Sequence, residues 1–367
     1  MHAKAPCYIQ GSAARCPSAV AGARLEGSDK NDLITNLTDL RTAWDGDHGK
    51  DLLLGGPGDD QMNGGGDDDD LRGNAGRDTF RLEKGNDTFR GGPDTDTVNY
   101  STSNAAVSVS LTNNSSFNDG PTAEFDRALD VENAIGSAQA DTVLGSADGN
   151  TISGRGGDDQ INGLADNDLL DGEGGADHIE GAAGFDTVTY ADRTGPVTVT
   201  LGSSDPDGQN GENDDVDQVE NIAGTAFDDV LTGSGSINEI NGNGGRDRID
   251  GEAQGDVLDG GAGLDTLDYS ARTEAVQVTL ENSPVANDGG APDSHADNAI
   301  NIENVEGGSG EDTLTGAPGA NVVHGNDGND TVLIEDGGPD IADCGAGDDS
   351  IAFDLPFDTT VNCEHKL

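Results

Sequence analysis

The chain has 367 residues, of which 72 are acidic and 18 are basic, so its formal net charge is −54 at pH 7. This charge excludes a basic nucleic-acid interface and charge-driven docking on anionic lipid, because both need clustered Lys and Arg. No stretch approaches the roughly 18 consecutive apolar residues of a membrane span, so we expect no membrane insertion.

The acidic residues are unevenly divided between the two types, with 55 Asp and only 17 Glu. A high net charge with few apolar residues is typical of disordered chains. Asp combined with 57 Gly is also the composition of tight turns and of metal sites built from oxygen ligands. The order of these residues along the chain decides between the two interpretations.

The cysteines lie near the two ends of the chain, at Cys7, Cys16, Cys344 and Cys363. We expect Cys7–Cys16 and Cys344–Cys363 disulfides, because each closes a short terminal loop; free buried thiols are the alternative. Zinc is disfavoured, since neither CxxC nor HxxxH spacing occurs. Disulfides indicate an oxidising, extracytoplasmic location, although the first residues, 1–23, lack the apolar run of a signal peptide.

A nine-residue repeat organises most of the chain, beginning with an isolated copy, GSDKNDLIT, at 27–35. Copies such as GGPGDDQMN and GEGGADHIE recur in register, with one slip of a residue at Ile334. We expect them to form four rolls, at 27–99, 136–189, 224–268 and 307–352. The remaining segments are an N-terminal segment, three linkers and a C-terminal cap, at 1–26, 100–135, 190–223, 269–306 and 353–367.

The three linkers resemble one another. Each follows a DTVNYS-like sequence, contains an alternating strand such as VSVSL, and ends in VEN or IEN before the next array. We expect hairpins and loops that cap one roll and start the next, with a second cation site at the cluster Asp214, Asp215 and Asp217 as the alternative. The recurring tyrosines are expected to cap the core, and a sugar-stacking platform is the alternative, at Tyr100, Tyr190 and Tyr269.

The repeat follows the pattern GGxGxDxUx, where U is a large apolar residue. Glycines at positions 1, 2 and 4 are expected to take positive φ and expose carbonyl oxygens in a tight turn. The D-x-U-x part predicts a strand of about three residues with only U facing inward. Two copies then make one coil of 18 residues, with strands of successive coils pairing in parallel roughly 4.8 Å apart.

The position-6 carboxylates are expected to stack along the coils, for example Asp51 over Asp69 and Asp87. Carboxylates at this spacing repel one another unless a cation lies between them. A hard divalent ion with six or more oxygen ligands fits, and calcium suits the site better than magnesium, which prefers a strict octahedron. A metal-free solenoid whose Asp side chains cap turns is the alternative.

The predicted calcium ligands are the position-6 carboxylates Asp32, Asp51, Asp60, Asp69, Asp78, Asp87, Asp96, Asp141, Asp159, Asp168, Asp177, Asp186, Asp229, Asp247, Asp256, Asp265, Asp312, Asp330, Asp340 and Asp349. The predicted turn glycines are Gly55, Gly56, Gly58, Gly73, Gly76, Gly154, Gly157, Gly172, Gly175, Gly242 and Gly245. Asn replaces Asp in the second copy of three arrays, at Asn150, Asn238 and Asn321, which is expected to weaken or remove those sites. Asp67 and Asp94 replace the position-4 Gly, so their turns are expected to be less regular.

This pattern resembles the RTX, or haemolysin-type calcium-binding repeat, proteins of bacteria, over Gly27 to Ala352. The resemblance implies an all-β fold, a right-handed parallel β-roll that folds on binding calcium, usually outside the cell. It also implies that the position-6 Asp carboxylates and the preceding turn carbonyls are the ligands. RTX segments often follow a protease, lipase or toxin domain, and no such domain is visible in this sequence. Their one-step export substrates tend to avoid cysteine, and the terminal cysteines depart from that habit.

The sequence carries no HExxH, GxSxG or P-loop motif, and its six histidines form no spaced cluster. We therefore expect a protein that is not an enzyme: an exported calcium-binding protein, secreted or at the cell surface, with a structural or adhesive role. Its expected partners are calcium ions, with glycans or further copies of the chain beside them. The alternatives are a secreted β-helix enzyme acting on polysaccharide and the repeat part of a toxin, protease or lipase.

Overall fold

The computed structural model describes residues 8–10, 13–16, 23–27, 29–36, 41–81, 84–113, 119–121, 124–203, 206–280, 289–290 and 297–367. Within these residues the protein consists of β-strands and turns, which confirms the predicted all-β solenoid. Over the same residues no helix is long and apolar enough to span a membrane. The chain divides into two compact units, Met1–Asp186 and Thr187–Leu367.

Unit 1, Met1–Asp186, contains twenty described strands: β1 (Tyr8–Gln10), β2 (Ala13–Cys16), β3 (Ala23–Glu26), β4 (Leu33–Asn36), β5 (Thr42–Asp45), β6 (Leu52–Leu54), β7 (Gln61–Asn63), β8 (Asp70–Arg72), β9 (Thr79–Arg81), β10 (Thr88–Arg90), β11 (Thr97–Asn99), β12 (Val107–Ser110), β13 (Gly120–Pro121), β14 (Arg127–Leu129), β15 (Asn133–Ile135), β16 (Thr142–Ser146), β17 (Thr151–Ser153), β18 (Gln160–Ala165), β19 (Leu169–Asp171) and β20 (His178–Ala183).

These strands alternate between faces, because each nonapeptide supplies one strand and one turn. Sheet A has the order β1-β2-β4-β6-β8-β10-β14, and sheet B has the order β3-β5-β7-β9-β11-β15-β17-β19. Sheet C has the order β13-β12-β16-β18-β20. Where nonapeptides follow one another without interruption, parallel neighbours in register are 18 residues apart, as in Ile161 opposite Ile179, so one coil holds two repeats as predicted.

The core of unit 1 is one side chain thick at each strand. The U residues are completely buried, for example Ile152, Ile161 and Leu170 at 0–1% exposure. Phe80 of sheet B and Phe89 of sheet A lie with ring centroids 5.9 Å apart, so the two faces meet directly. Because each strand of the nonapeptide repeats buries only one large apolar side chain, the hydrophobic contribution of a coil is small, about 1.5–3 kcal/mol for each buried U residue.

The segment between the first two arrays continues the coils and starts a new sheet. Strand β12 pairs antiparallel with β13 and parallel with β16, so it opens sheet C. Strand β14 then pairs parallel with β10 in sheet A, and β15 pairs parallel with β11 in sheet B. The capping Tyr100 is buried beneath this crossover, as the end-cap interpretation predicts, and is not exposed for sugar stacking.

Unit 2, Thr187–Leu367, contains the strands β21 (Thr187–Thr189), β22 (Val197–Thr200), β23 (Gly208–Gln209), β24 (Asp215–Asp217), β25 (Asn221–Ala223), β26 (Val230–Ser234), β27 (Glu239–Asn241), β28 (Gly244–Gly245), β29 (Arg248–Glu252), β30 (Val257–Asp259), β31 (Ala262–Gly263), β32 (Thr266–Asp268), β33 (Val276–Thr279), β34 (Gly289–Gly290), β35 (Asn298–Ile300), β36 (Asn304–Glu306), β37 (Thr313–Thr315), β38 (Val322–His324), β39 (Thr331–Ile334), β40 (Ile341–Asp343), β41 (Ser350–Phe353), β42 (Thr359–Val361) and β43 (His365–Lys366).

Unit 2 repeats the same plan. Sheet D has the order β21-β25-β27-β30-β35, sheet E has the order β23-β22-β26-β29-β32-β36-β38-β40-β42, and sheet F has the order β34-β33-β37-β39-β41-β43. Here β22 and β33 take the place that β12 has in unit 1, each with an antiparallel partner on one side and a parallel partner on the other. The buried tyrosines Tyr190 and Tyr269 again follow the last strand before these hairpins.

The last coil is closed covalently. Cys344 is fully buried at a position-1 site of the repeat, and it forms the predicted disulfide with Cys363, 19 residues later. This bond ties β40 to the end of β42, its parallel neighbour. The predicted Cys7–Cys16 pairing includes Cys7, which lies outside the described residues.

Candidate metal centre

The repeat turn uses its glycines in two different ways, and the turn 154–159 shows both. Positions 2 and 4 have positive φ, 81° at Arg155 and 105° at Gly157. Position 1 does not: a Cβ on Gly154 would collide with the Asp159 carboxylate of its own turn. The expectation of positive φ at position 1 is therefore wrong, since glycine is needed there for space.

The position-2 and position-4 conformations tolerate other residues. Asp67 and Asp94 occupy position 4 with φ of 75° and 78°, so both turns keep the left-handed backbone despite the missing glycine. Non-glycine residues with such φ are uncommon, although Asp and Asn adopt them more readily than most. The restriction at Gly154 is of a different kind, because it is set by a collision and not by φ; at Gly157, position 4, a Cβ would also lie 2.4 Å from the Gln139 backbone carbon.

The position-6 carboxylates form ladders along the coils. Asp141 N–H donates to Asp159 Oδ1 at 2.7 Å, and Asp159 N–H donates to Asp177 Oδ1 at 2.8 Å. The same bond joins Asp51 to Asp69 and Asp60 to Asp78, both at 2.7 Å. Further bonds of this kind start at Asp32, Asp69, Asp78, Asn150, Asp168, Asp229, Asn238, Asp247, Asp312, Asn321 and Asp330. One carboxylate oxygen of each acceptor Asp, Oδ1, is thus occupied by a hydrogen bond from the preceding coil.

The second carboxylate oxygen is buried without a hydrogen-bond partner in a large part of the ladders. Asp159 is 1% exposed, and its Oδ2 atom accepts no hydrogen bond. The same holds for Oδ2 of Asp51, Asp69, Asp78, Asp96, Asp168, Asp247, Asp256, Asp265, Asp330, Asp340 and Asp349. A buried polar atom left in this state costs about 1–3 kcal/mol, and more when it is charged.

Burial and mutual repulsion raise the pKa of these carboxyl groups. Loss of solvation, opposed by the ladder hydrogen bond and reinforced by neighbouring Asp charges, raises the pKa of Asp159 to about 8. The pKa of Asp69 rises to about 8 and that of Asp78 to about 7 for the same reasons. In unit 2 the pKa of Asp247 and that of Asp256 each rise to about 7. Without a counter-ion, ladder carboxyls with a pKa of about 8, such as Asp69 and Asp159, therefore hold protons at neutral pH in the folded chain.

The donor set fits calcium. At Gly46, Asp51 Oδ2 and the Gly64 carbonyl oxygen of the next coil approach the same point, where a Cβ would lie. At Gly242, Asp247 Oδ2 and the Gly260 carbonyl converge in the same way. These sites offer only oxygen atoms, which are the ligands that a hard divalent cation prefers. A bound calcium ion would supply positive charge to carboxylate oxygens that have no protein donor.

The predicted ligands differ in how far the protein itself satisfies them. Both carboxylate oxygens of Asp141, Asp229 and Asp312 accept hydrogen bonds from nearby donors. Asp60 Oδ2 accepts a bond from Gly56 N–H at 2.9 Å, whereas Asp32 is only half-buried. The predicted turn glycines occupy position 1 (Gly55, Gly73, Gly154, Gly172, Gly242), position 2 (Gly56) and position 4 (Gly58, Gly76, Gly157, Gly175, Gly245).

Sequence reasoning missed a second ladder at position 5, which the motif leaves variable. Here the side-chain oxygen of one coil accepts the N–H of the next: Asp158 Oδ1 from Ala176 at 3.1 Å, and Asp228 Oδ1 from Arg246 at 2.9 Å. Other acceptors are Asn31, Asp59, Asp68, Asn86, Asn167 and Asn329. The recurrence of Asp and Asn at position 5 was the available signal.

The linkers also supply ladder members that the motif does not mark. Asp87 N–H donates to Asp126 Oδ1 at 2.9 Å, and Asp256 N–H donates to Asp297 Oδ1 at 3.0 Å. The capping Tyr100 hydroxyl donates to Asp126 Oδ2 at 3.3 Å. The first and third linkers therefore each add one coil to the stack, with a tyrosine hydroxyl at the second carboxylate oxygen, from Tyr100 at Asp126 and from Tyr269 at Asp297.

Substitutions within a single turn should test whether glycine at position 1 is required for space. Gly154→Ala places a Cβ against Asp159 Oδ2 and should destabilise the calcium-saturated chain by about 1–3 kcal/mol. Gly156→Ala is the matched control, since its Cβ would meet no atom closer than 3.6 Å; we expect a change within about 0.5 kcal/mol. Urea unfolding in saturating calcium measures both, and equal effects would contradict the collision account.

Together these features define a class: a parallel β-solenoid whose turns stack carboxylate and carbonyl oxygens for cations. Comparison with protein families matches the RTX calcium-binding nonapeptide repeat (4 copies) to residues 45–80, 72–102, 135–170, 154–188, 232–267 and 301–333, which fall in all four predicted arrays. The chain belongs to this family of RTX calcium-binding repeat proteins, and the family implies Ca²⁺ as its ligand. Comparison with curated proteins finds no match.

Proposed function

We propose that this protein is exported and serves as a calcium-dependent structural element at a cell surface or in an extracellular matrix. The observation that carries the proposal is the series of buried carboxylate oxygens without hydrogen-bond partners, repeated along the coils. Because these oxygens recur along the coils, folding depends on binding many ions of one kind, calcium. Extracellular calcium is the supply that such a chain needs to remain folded.

The disulfide at the last coil supports an extracytoplasmic location. Cys344 and Cys363 are joined in the structure, and such bonds persist in oxidising compartments. The surface supports a role in assembly, because the exposed position-5 side chains Asp158 and Asp228 present carboxylates along the turns. Without calcium, a net charge of −54 keeps copies of the chain apart.

The structural role predicts self-association that depends on calcium. Sedimentation velocity of the full chain should show larger species in millimolar calcium and monomers in chelator or in magnesium at equal ionic strength. An adhesive role predicts a different result: monomers in calcium, with calcium-dependent retention on a glycan array. Monomers in calcium that bind neither glycans nor cells would overturn the proposed role and leave calcium binding itself untouched.

A further inference from the structure

The Asn residues at position 6 make a coil-to-coil link of reversed direction. Asn150 is 3% exposed, and its Nδ2 donates to the Glu132 carbonyl oxygen at 2.6 Å, 18 residues earlier. Its Oδ1 accepts the Ser146 N–H of its own turn, also at 2.6 Å. In an ordinary ladder step the position-6 carboxylate accepts a hydrogen bond from a backbone N–H of the preceding coil. Here the side-chain amide of Asn150 donates a hydrogen bond to a backbone carbonyl of the preceding coil.

The link to the preceding coil recurs at the other two substituted positions. Asn238 Oδ1 also accepts the Ser234 N–H of its own turn at 2.7 Å, whereas Asn321 Oδ1 is buried without a hydrogen-bond partner. Asn238 Nδ2 donates to the Glu220 carbonyl at 2.7 Å, and Asn321 Nδ2 donates to the Glu303 carbonyl at 2.7 Å. An Asp carboxylate in these places would bring an oxygen against a carbonyl oxygen. Asn is therefore the residue that the neighbouring coil requires, and it completes a hydrogen bond that Asp cannot make.

The glutamate of the VEN and IEN sequences explains why the reversal occurs there. Glu132 Oε2 accepts the Asp96 N–H at 2.9 Å, so the glutamate side chain ends the preceding ladder. Glu303 Oε2 accepts the Asp265 N–H at 3.0 Å in the same way. The following Asn133 accepts the Thr151 N–H at 2.8 Å through Oδ1, which joins the two coils a second time.

The first Asp of each later array is satisfied by the protein as well. Asp141 Oδ1 accepts Val107 N–H at 2.7 Å and the Ser137 hydroxyl at 2.9 Å, and its Oδ2 accepts Ser137 N–H at 2.5 Å. Asp229 repeats this set with Val197 N–H at 2.9 Å and with the N–H and hydroxyl of Thr225 at 2.6 and 2.9 Å.

Asp312 completes the series with two backbone donors. Its Oδ1 accepts Val276 N–H at 2.8 Å, and its Oδ2 accepts Gly308 N–H at 2.7 Å. In each of the three cases the Oδ1 donor is the first residue of the alternating strand in the linker, β12, β22 or β33. These carboxylates thus fasten the linker hairpin to the array that follows it.

We propose that the first two turns of each later array are metal-independent clamps, in which the chain's own N–H and O–H donors take the places that calcium takes elsewhere. The six clamp residues are Asp141, Asn150, Asp229, Asn238, Asp312 and Asn321. Asn321 contributes through its amide Nδ2 alone, since its Oδ1 is buried without a donor. The proposal rests on calcium binding by the remaining turns. It assigns three predicted calcium ligands to fastening the linkers, and it treats the Asn residues as selected for a donor and not as degraded sites.

Counting bound ions tests the clamps. Native mass spectrometry of the full chain in calcium should give the same number of ions for the unsubstituted protein, Asn150→Asp and Asp141→Asn. The matched control, Asp159→Asn, lies one coil beyond Asp141 in the same ladder and should lose at least one ion. Asn150→Asp should also lower the thermal midpoint in calcium, because its carboxylate faces the Glu132 carbonyl.

The outcomes separate the two proposals. An additional ion in Asn150→Asp, or a lost ion in Asp141→Asn, would overturn the clamps. No ions in any variant, including the unsubstituted chain, would overturn calcium binding itself. If a variant fails to fold, calcium positions from anomalous diffraction of the unsubstituted chain decide: ions are expected at Asp159 and Asp168, and an ion at Asp141 or Asn150 would contradict the proposal.

Discussion

Removing calcium at neutral pH should convert the chain from a β-rich solenoid into an expanded, largely disordered state, and millimolar calcium should restore the solenoid. The cause is the set of buried carboxylate oxygens, such as Asp69 and Asp159 Oδ2, which have no protein donor. Without calcium they must either be desolvated as anions or take up protons. Far-UV circular dichroism and small-angle scattering during a calcium titration measure the change in secondary structure and in dimensions.

Magnesium at equal ionic strength is the control for charge screening, because it prefers a strict octahedron and keeps its waters. It should leave the chain expanded where calcium folds it. A spectrum that is already β-rich in chelator and that calcium leaves unchanged would contradict the account. A spectrum that magnesium restores as well as calcium would show that screening of the net charge suffices.

The binding free energy expected from a few calcium sites is large enough to decide whether the chain folds. A site saturated at 100 times its dissociation constant contributes about 2.7 kcal/mol, so four such sites contribute about 11 kcal/mol. This is comparable to the whole stability of an ordinary domain, about 5–15 kcal/mol. The hydrophobic core offers little in compensation, since only residues such as Ile161 and Leu170 face inward, one for each strand.

The sequence predicts the repeating parts of this structure because they depend on periodicity alone. Nine residues for each strand and turn fix the 18-residue coil, the burial of Ile161 opposite Ile179, and the stacking of Asp51 over Asp69. These three features follow once the register between neighbouring coils is known, and they do not depend on which side chains the neighbouring coil carries. The same reasoning covers the position-6 carboxylates as a set. The Cys344–Cys363 disulfide is predicted on a different ground, the short terminal loop that it closes.

What the sequence does not predict depends on which atom the neighbouring coil presents. From the sequence, Asn150 indicates a weakened calcium site; the structure shows instead that its side-chain amide donates to the Glu132 carbonyl. Glycine at position 1 reads as a conformational requirement until the carboxylate of its own turn is seen to occupy the Cβ position, as at Gly154. Asp126 lies outside any nonapeptide, so only its bond to Asp87 N–H identifies it as a ladder member.

Protons and calcium compete for the same oxygen atoms, so pH should replace part of the ion's effect. Burial raises the pKa of Asp69, Asp96 and Asp159 to about 8 in the folded, calcium-free chain, well above the unfolded value of 3.8. A group whose pKa is raised by folding contributes stability below its unfolded pKa, and loses that contribution as pH rises through its folded pKa. The calcium-free solenoid is therefore stabilised by acid and destabilised between about pH 4 and pH 8.

In chelator, lowering the pH from about 8 to about 5 should increase the β-structure of the chain. The calcium concentration needed for half-folding should fall over the same range, because the protonated, calcium-free solenoid is then more stable relative to the unfolded chain. Circular dichroism in buffers freed of calcium measures the first effect, and calcium titrations at each pH measure the second. Salt at about pH 8 is the control, because it screens the net charge without protonating a ladder and should not reproduce the folding. Loss of β-structure on acidification would contradict the raised pKa values. Asp159→Asn carries no titrating group at that position. In this variant the gain in β-structure between about pH 8 and about pH 5 should be smaller, because one of the groups that binds a proton on folding is gone.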